Sequence, residues 1–160
     1  MGGNTLTFAF DPEGAWFYFT AALDTQGPQL FGAPMTDDGP GAPVRLSDGS
    51  GALPGEFITP DDWSVALYTD DTARGPQMLF EVALGTDRPS APVQINGDLA
   101  RGENVSFGAR YSRSGSSILF RQQAGSFDDP RPLFLRDRIN GALIEVSADG
   151  QVSGTLRELD

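Results

Sequence analysis

The stretch ITPDDWSVALYTDDTARGPQMLFEVALGTDRPSAPVQIN, residues 58–96, decides the fold, because the chain has already used the same order of residues once before. Residues 10–47 read FDPEGAWFYFTAALDTQGPQLFGAPMTDDGPGAPVRLS. Asp11-Pro12 answers to Thr59-Pro60, Phe19-Thr20 to Tyr68-Thr69, Gly27-Pro28-Gln29 to Gly75-Pro76-Gln77, Leu30-Phe31 to Leu79-Phe80, and Ala42-Pro43-Val44 to Ala91-Pro92-Val93. Leu30 to Leu79 and Val44 to Val93 are steps of 49 residues, while the Pro12 and Pro28 pairs step by 48. A looser third copy, YSRSGSSILFRQQAGSFDDPRPLFLRDRIN at 111–140, puts Phe120 in the place of Phe19 and Tyr68, and Leu133-Phe134 in the place of Leu30-Phe31. A near-constant period of this length is the mark of a repeat architecture.

Within each unit, short apolar runs alternate with turn signals. Leu6, Phe8 and Phe10 alternate with Thr7 and Ala9, giving one apolar face at period two. Asp11-Pro12-Glu13-Gly14 turns the chain, since proline presets φ and glycine accepts positive φ. Trp16 to Phe19 is aromatic throughout and predicts a strand covered on both faces; Leu30 to Met35 and Pro43 to Leu46 follow as further strands. With the prolines aligned, Trp63 counts as an extra residue at the start of its strand. No segment sustains helical apolar spacing. The expectation is an all-β chain of β-propeller-type blades, about four antiparallel strands each, in a single domain 1–160. Its units cover approximately 5–47, 53–96 and 103–140, with a partial unit at 141–160. A two-sheet β-sandwich is the architectural alternative.

The residues Phe10-Asp11-Pro12-Glu13-Gly14, the strand ending at Phe19 and the pair Leu30-Phe31 resemble the repeat of TolB-like, WD40-like β-propellers of the PD40 type. Ile58-Thr59-Pro60-Asp61-Asp62 with Tyr68 and Leu79-Phe80-Glu81-Val82 is the nearest copy, and the likeness extends to about Asn140. Glu13, Asp62 and the Ser112-Arg113-Ser114-Gly115 run depart from the pattern at turn positions. The resemblance implies a protein-docking or envelope role and a periplasmic, cell-surface or secreted location, although Met1-Gly2-Gly3-Asn4 lacks the basic and apolar parts of an export signal.

Composition narrows the partners. The net charge is −11, so the mean field repels phosphate backbones and anionic headgroups, and neither nucleic acid nor membrane insertion is expected. The chain contains no histidine and no cysteine, which removes the usual base of a serine hydrolase, thiol nucleophiles and the common zinc and copper ligand sets. No glycine-x-serine-x-glycine elbow surrounds Ser114 or Ser116, and no catalytic residue or cofactor is expected.

Aspartate doublets at Asp37-Asp38, Asp61-Asp62, Asp70-Asp71 and Asp128-Asp129 lack the alternation of a calcium loop, and beside turns they are expected to accept bonds from backbone amides. The ligand contacts singled out are Asp61, Asp62 and Trp63 in the second unit, with Phe127 and Asp128 in the third. The expected function is a non-catalytic protein-interaction or scaffold module. Alternatives are a carbohydrate- or calcium-binding module, or a fragment of a larger repeat protein without activity of its own. Three units fall short of the four to eight blades of a closed propeller, so self-association, for instance as a homodimer, or packing with further blades is expected.

Overall fold

Thirteen strands account for most of the 5–22, 28–47, 57–71, 76–85, 90–97, 104–123 and 132–146 segments that the computed structural model describes. The first sheet contains β1 (Thr5–Phe10), β2 (Trp16–Ala21), β3 (Gln29–Thr36) and β5 (Val44–Arg45), with β4 (Gly39–Pro40) forming a small hairpin on the end of β3. The second contains β6 (Phe57–Ile58), β7 (Val65–Asp71), β8 (Gln77–Ala83) and β9 (Val93–Gln94). The third contains β10 (Asn104–Tyr111), β11 (Ser117–Gln123), β12 (Leu133–Asp137) and β13 (Leu143–Val146). Each sheet takes consecutive strands in antiparallel order, which is a set of blades and not the two facing sheets of a sandwich.

The third unit runs further than expected. Leu143–Val146 pairs with β12 from Leu133↔Val146 to Arg136↔Leu143, so it is the fourth strand of the third blade and not the beginning of a fourth unit. The Asp137 turn makes this closure: its Oδ1 accepts the N–H of Ile139 at 2.8 Å, and Gly141 at φ +74° brings the chain back.

Strand register fixes a common frame. Phe19 opposes Phe31, Tyr68 opposes Phe80 and Phe120 opposes Phe134, and the three cross-strand pairs stack with ring centres 5.4, 5.8 and 5.7 Å apart. In the second and third blades this pair faces the preceding blade, and Tyr68 and Phe120 are buried. The opposite faces supply the cover. Tyr18 and Leu30 of the first blade meet Phe57, Tyr68 and Val82 in one core, while Leu67, Leu79 and Ile95 of the second meet Ile118 and Phe120 in another. Gly32 gives the Tyr18 ring room, because a Cβ there would lie 3.1 Å from it and push it by a few tenths of an ångström. The aromatic run Trp16 to Phe19 is therefore covered on one side only: Tyr18 is buried, whereas Phe17 and Phe19 are half-buried on the outward face.

A charged clasp crosses from the third blade to the second. Arg138 donates from Nε and Nη2 to the two Glu81 oxygens at 2.8 and 3.1 Å, and from Nη1 to the Gly115 carbonyl. Tyr111 donates to Glu81 at 3.2 Å and lies under the guanidinium; burial and then the Glu81 carboxylate hold its phenol far above the ordinary value.

The fourth strands of the first two blades are only two residues long, and a side chain completes the ladder beyond them. Ser47 Oγ accepts the Leu30 N–H at 3.2 Å, and 49 residues later Asn96 Oδ1 accepts the Leu79 N–H at 2.7 Å, both in buried surroundings. Asn96→Ala leaves that N–H buried without its acceptor, and the expected loss is about 1–3 kcal/mol. Urea unfolding should show a lower midpoint at unchanged slope, and Asn96→Ser, which copies the first blade, should recover part of the difference.

Candidate functional site

The turns joining the first two strands of each blade lie at the same end of the fold, and they are built alike. In the first, the Gly14 N–H donates to the Asp11 carbonyl at 3.0 Å; in the third, Gly115 donates to Ser112 at 2.9 Å; in the second, Trp63 donates to Pro60 at 3.1 Å. Gly14 and Gly115 have φ of +69° and +70°, and Trp63 has +51°. The step of 49 thus runs unbroken through the turn. Trp63 is not an added residue but stands where the other blades have a left-handed glycine, at a backbone cost of roughly 1–2 kcal/mol.

Two features hold it there. Asp62 Oδ1 accepts from the backbone N–H of Ser64 at 3.0 Å and from its hydroxyl at 2.8 Å, closing the turn around Trp63. The indole also packs on the first core, with its ring centre 5.9 Å from that of Tyr18. Trp16 also lies against Tyr18, 6.2 Å away and nearly parallel at 12°. Tyr18 forms the floor, and its hydroxyl accepts the Gly85 N–H at 2.9 Å across the blade junction. Burial raises the Tyr18 phenol above its ordinary value, so the floor stays neutral.

These rings line a cleft of about 430 Å³ between the first and second blades. Around it stand four carboxylates: Asp11 and Glu13 from the β1–β2 turn, Asp61 and Asp62 from the β6–β7 turn. Asp11 is tied down, since its Oδ1 accepts the Trp16 N–H at 3.1 Å; Glu13, Asp61 and Asp62 are exposed. Among the described residues no basic side chain lines this cleft. The corresponding cleft between the second and third blades, about 330 Å³, is lined by Arg110 and Arg113 with Tyr111 and Asp61. One end of one fold therefore carries an acidic aromatic recess beside a basic one.

Of the residues the sequence singled out, Asp61, Asp62 and Trp63 lie together in the lining of this cleft. Sequence reading missed Asp11, Glu13, Trp16 and Tyr18, although the 49-residue step, carried back from Trp63 to Gly14, places the two turns side by side. Phe127 and Asp128 lie outside the described residues. Asp62 accepts from backbone and hydroxyl, in the way expected of turn aspartates. Among the described residues no three carboxylates gather closely enough to hold a metal ion. Ser112, Ser114 and Ser116 contact one another at 3.3 and 2.8 Å in the third turn, where Ser112 Oγ also accepts the Ser117 N–H.

No family model matches the chain, and no curated protein sequence does. Solved structures do. TolB from Acinetobacter baumannii superposes with a TM-score of 0.55 at 17% identity, over 96% of this chain and 39% of that protein. A puromycin-hydrolysing peptidase of Mycobacterium tuberculosis gives 0.62 at 13%, over 89% of this chain and 22% of the other. Prolyl oligopeptidase B from Galerina marginata gives 0.51 at 18%, over 95% and 22%. The fold is that of TolB-like β-propeller repeats, and the chain spans well under half the length of these proteins.

The Ser64 hydrogen bonds hold the Asp62 carboxyl below its ordinary value. Its contribution to the turn is complete above that ordinary value and disappears as pH falls through the lowered one. Trp16 and Trp63 are the two tryptophans of the chain, so indole fluorescence reports from the cleft alone. On acidification it should show a local step below the ordinary aspartate range, with the far-ultraviolet spectrum constant. Asp62→Asn, which keeps a neutral acceptor for Ser64, should abolish that step.

Proposed function

We propose that this chain is a non-catalytic protein-interaction module that receives a basic side chain, arginine or lysine, of a partner protein in the cleft between its first two blades. The observation that carries the reading is the pairing of two indole rings with four carboxylates around one recess, with no basic side chain in its lining among the described residues. An aromatic face attracts a cation through its quadrupole by about 0.5–2 kcal/mol, and arginine also stacks on it. Carboxylates at the rim add attraction and orient the approach, and the net charge of −11 extends that field into solution. An organic cation suits the site better than a metal ion, because the carboxylates surround the recess without converging.

No cofactor enters this reading, and histidine and cysteine are absent from the chain. The resemblance to TolB-like propellers supports protein partners and an envelope or extracellular setting. Among the described residues no helix is long and apolar enough to cross a membrane. A carbohydrate is the second reading, favoured by the same half-buried Trp16 and Trp63 beside carboxylates.

Titration with a short arginine-containing peptide should change the indole fluorescence saturably, with affinity that falls as salt rises. Asp61→Asn combined with Asp62→Asn should weaken binding by roughly tenfold, the factor that corresponds to about 1.4 kcal/mol. A neutral oligosaccharide that saturates the signal without salt dependence would transfer the site to the second reading. Absence of any saturable change with the peptide, or equal affinity in the double variant, would refute the basic-partner reading.

A further inference from the structure

The outward face of the first blade is covered with phenylalanine. Phe8 and Phe10 of β1 flank Phe17 of β2 at 6.1 and 5.0 Å, Phe17 stacks on Phe19 at 5.2 Å, and Phe19 stacks on Phe31 of β3 at 5.4 Å. Register identifies this face. Phe8 opposes Phe19 as Phe57 opposes Tyr68, so Phe8 and Phe57 hold the same place in successive blades. Phe57 is 8% exposed and Phe8 is 65% exposed. The difference lies in the cover: Tyr18 and Leu30 of the first blade pack over the Phe57 face, and no blade among the described residues packs over the Phe8 face.

The missing cover is present elsewhere on the same chain. Tyr18 and Leu30 correspond, by register against the stacked pair, to Leu67 and Leu79 in the second blade and to Leu119 and Leu133 in the third. Leu67 and Leu79 are 1% exposed beneath the third blade. Leu119 and Leu133 are half-buried, and no fourth sheet follows among the described residues. One chain thus carries an aromatic face that is open at Phe8 and Phe10 though closed at Phe31, and a leucine face that is partly open at Leu119 and Leu133 though closed at Leu135, of the two kinds that mate twice inside it.

We propose that two copies of this chain close on each other as a six-bladed ring, the leucine face of each third blade packing on the phenylalanine face of the other copy's first blade. A two-fold axis satisfies both faces of both copies at once and continues the packing already made at the two internal junctions. Six blades fall within the four to eight of closed propellers, and three do not. Pairing phenylalanine face to phenylalanine face would leave both leucine faces open.

Size-exclusion chromatography with light scattering on the full chain should give twice the 17.0 kDa of one copy. Phe8→Asp with Phe10→Asp alters side chains 65% and 50% exposed, so it should keep the far-ultraviolet spectrum and a cooperative melt while reducing the mass to one copy. Leu119→Asp should do the same from the other face; if it fails to fold, Arg121→Glu, exposed on that face, serves in its place. Mixing the two kinds of variant leaves one native junction per pair, and association at least tenfold tighter than either variant shows alone is the expected result. A wild-type monomer, an open series of higher masses, a dimer indifferent to the Phe8 and Phe10 changes, or a mixture no tighter than its parts would each overturn the proposal.

Discussion

A four-stranded sheet of this length cannot bury its own apolar face, and the structure depends on each blade being covered by the next. The stacked pairs Tyr68–Phe80 and Phe120–Phe134 are the repeated means. Large rings remove much apolar area from water, and offset stacking adds about 0.5–1.5 kcal/mol beyond that area. Tyr18 is the most constrained element of this packing. It meets Phe57 edge-on at 6.5 Å, is accommodated by the bare backbone of Gly32, and binds Gly85 across the junction. The same ring is the floor of the cleft, so the recess is a consequence of how the first two blades pack and not a feature added to them.

The second junction uses different physics for the same purpose. Glu81 occupies the register position of Gly32, and its carboxylate meets the Tyr111 hydroxyl and the Arg138 guanidinium of the third blade. Arg138 answers it with a two-pronged contact and reaches the Gly115 carbonyl as well, joining the last turn of the third blade to both the second blade and the turn that begins β11. With side chains 21% and 16% exposed, the pair is partly withdrawn from water, where removing one partner leaves the other poorly solvated. The ion pair thus aligns the blades, while the apolar core beside it supplies most of the adhesion.

The fold itself carries no statement of function, since TolB and two peptidases are among the solved structures similar to this chain. What distinguishes this chain is local. Trp63 occupies a left-handed position that glycine takes in both neighbouring blades, held by the Asp62 carboxylate and by contact with Tyr18. That substitution turns an ordinary blade turn into one wall of an acidic recess, and the strained backbone is maintained because the ring has a surface to lie on.

The 49-residue period, the aromatic and leucine pairs and the proline-glycine turns determined the blade architecture and the antiparallel order of its principal strands, because these follow from alternation and turn chemistry within a few residues. Asp61, Asp62 and Trp63 were legible for the same reason, as polar and aromatic residues crowded at a turn. Period-two alternation states that a strand has two faces without stating what lies against either, so only the tertiary structure decided that Tyr18 is enclosed while Phe17 and Phe8 face outward. It also decided that Leu143–Val146 returns to β12, a pairing set by the Asp137 turn and not by any repeated motif. Asp11 and Trp16 join Asp62 and Trp63 across about 50 positions of sequence, and that meeting arises only when two blades stack with their turns at the same end.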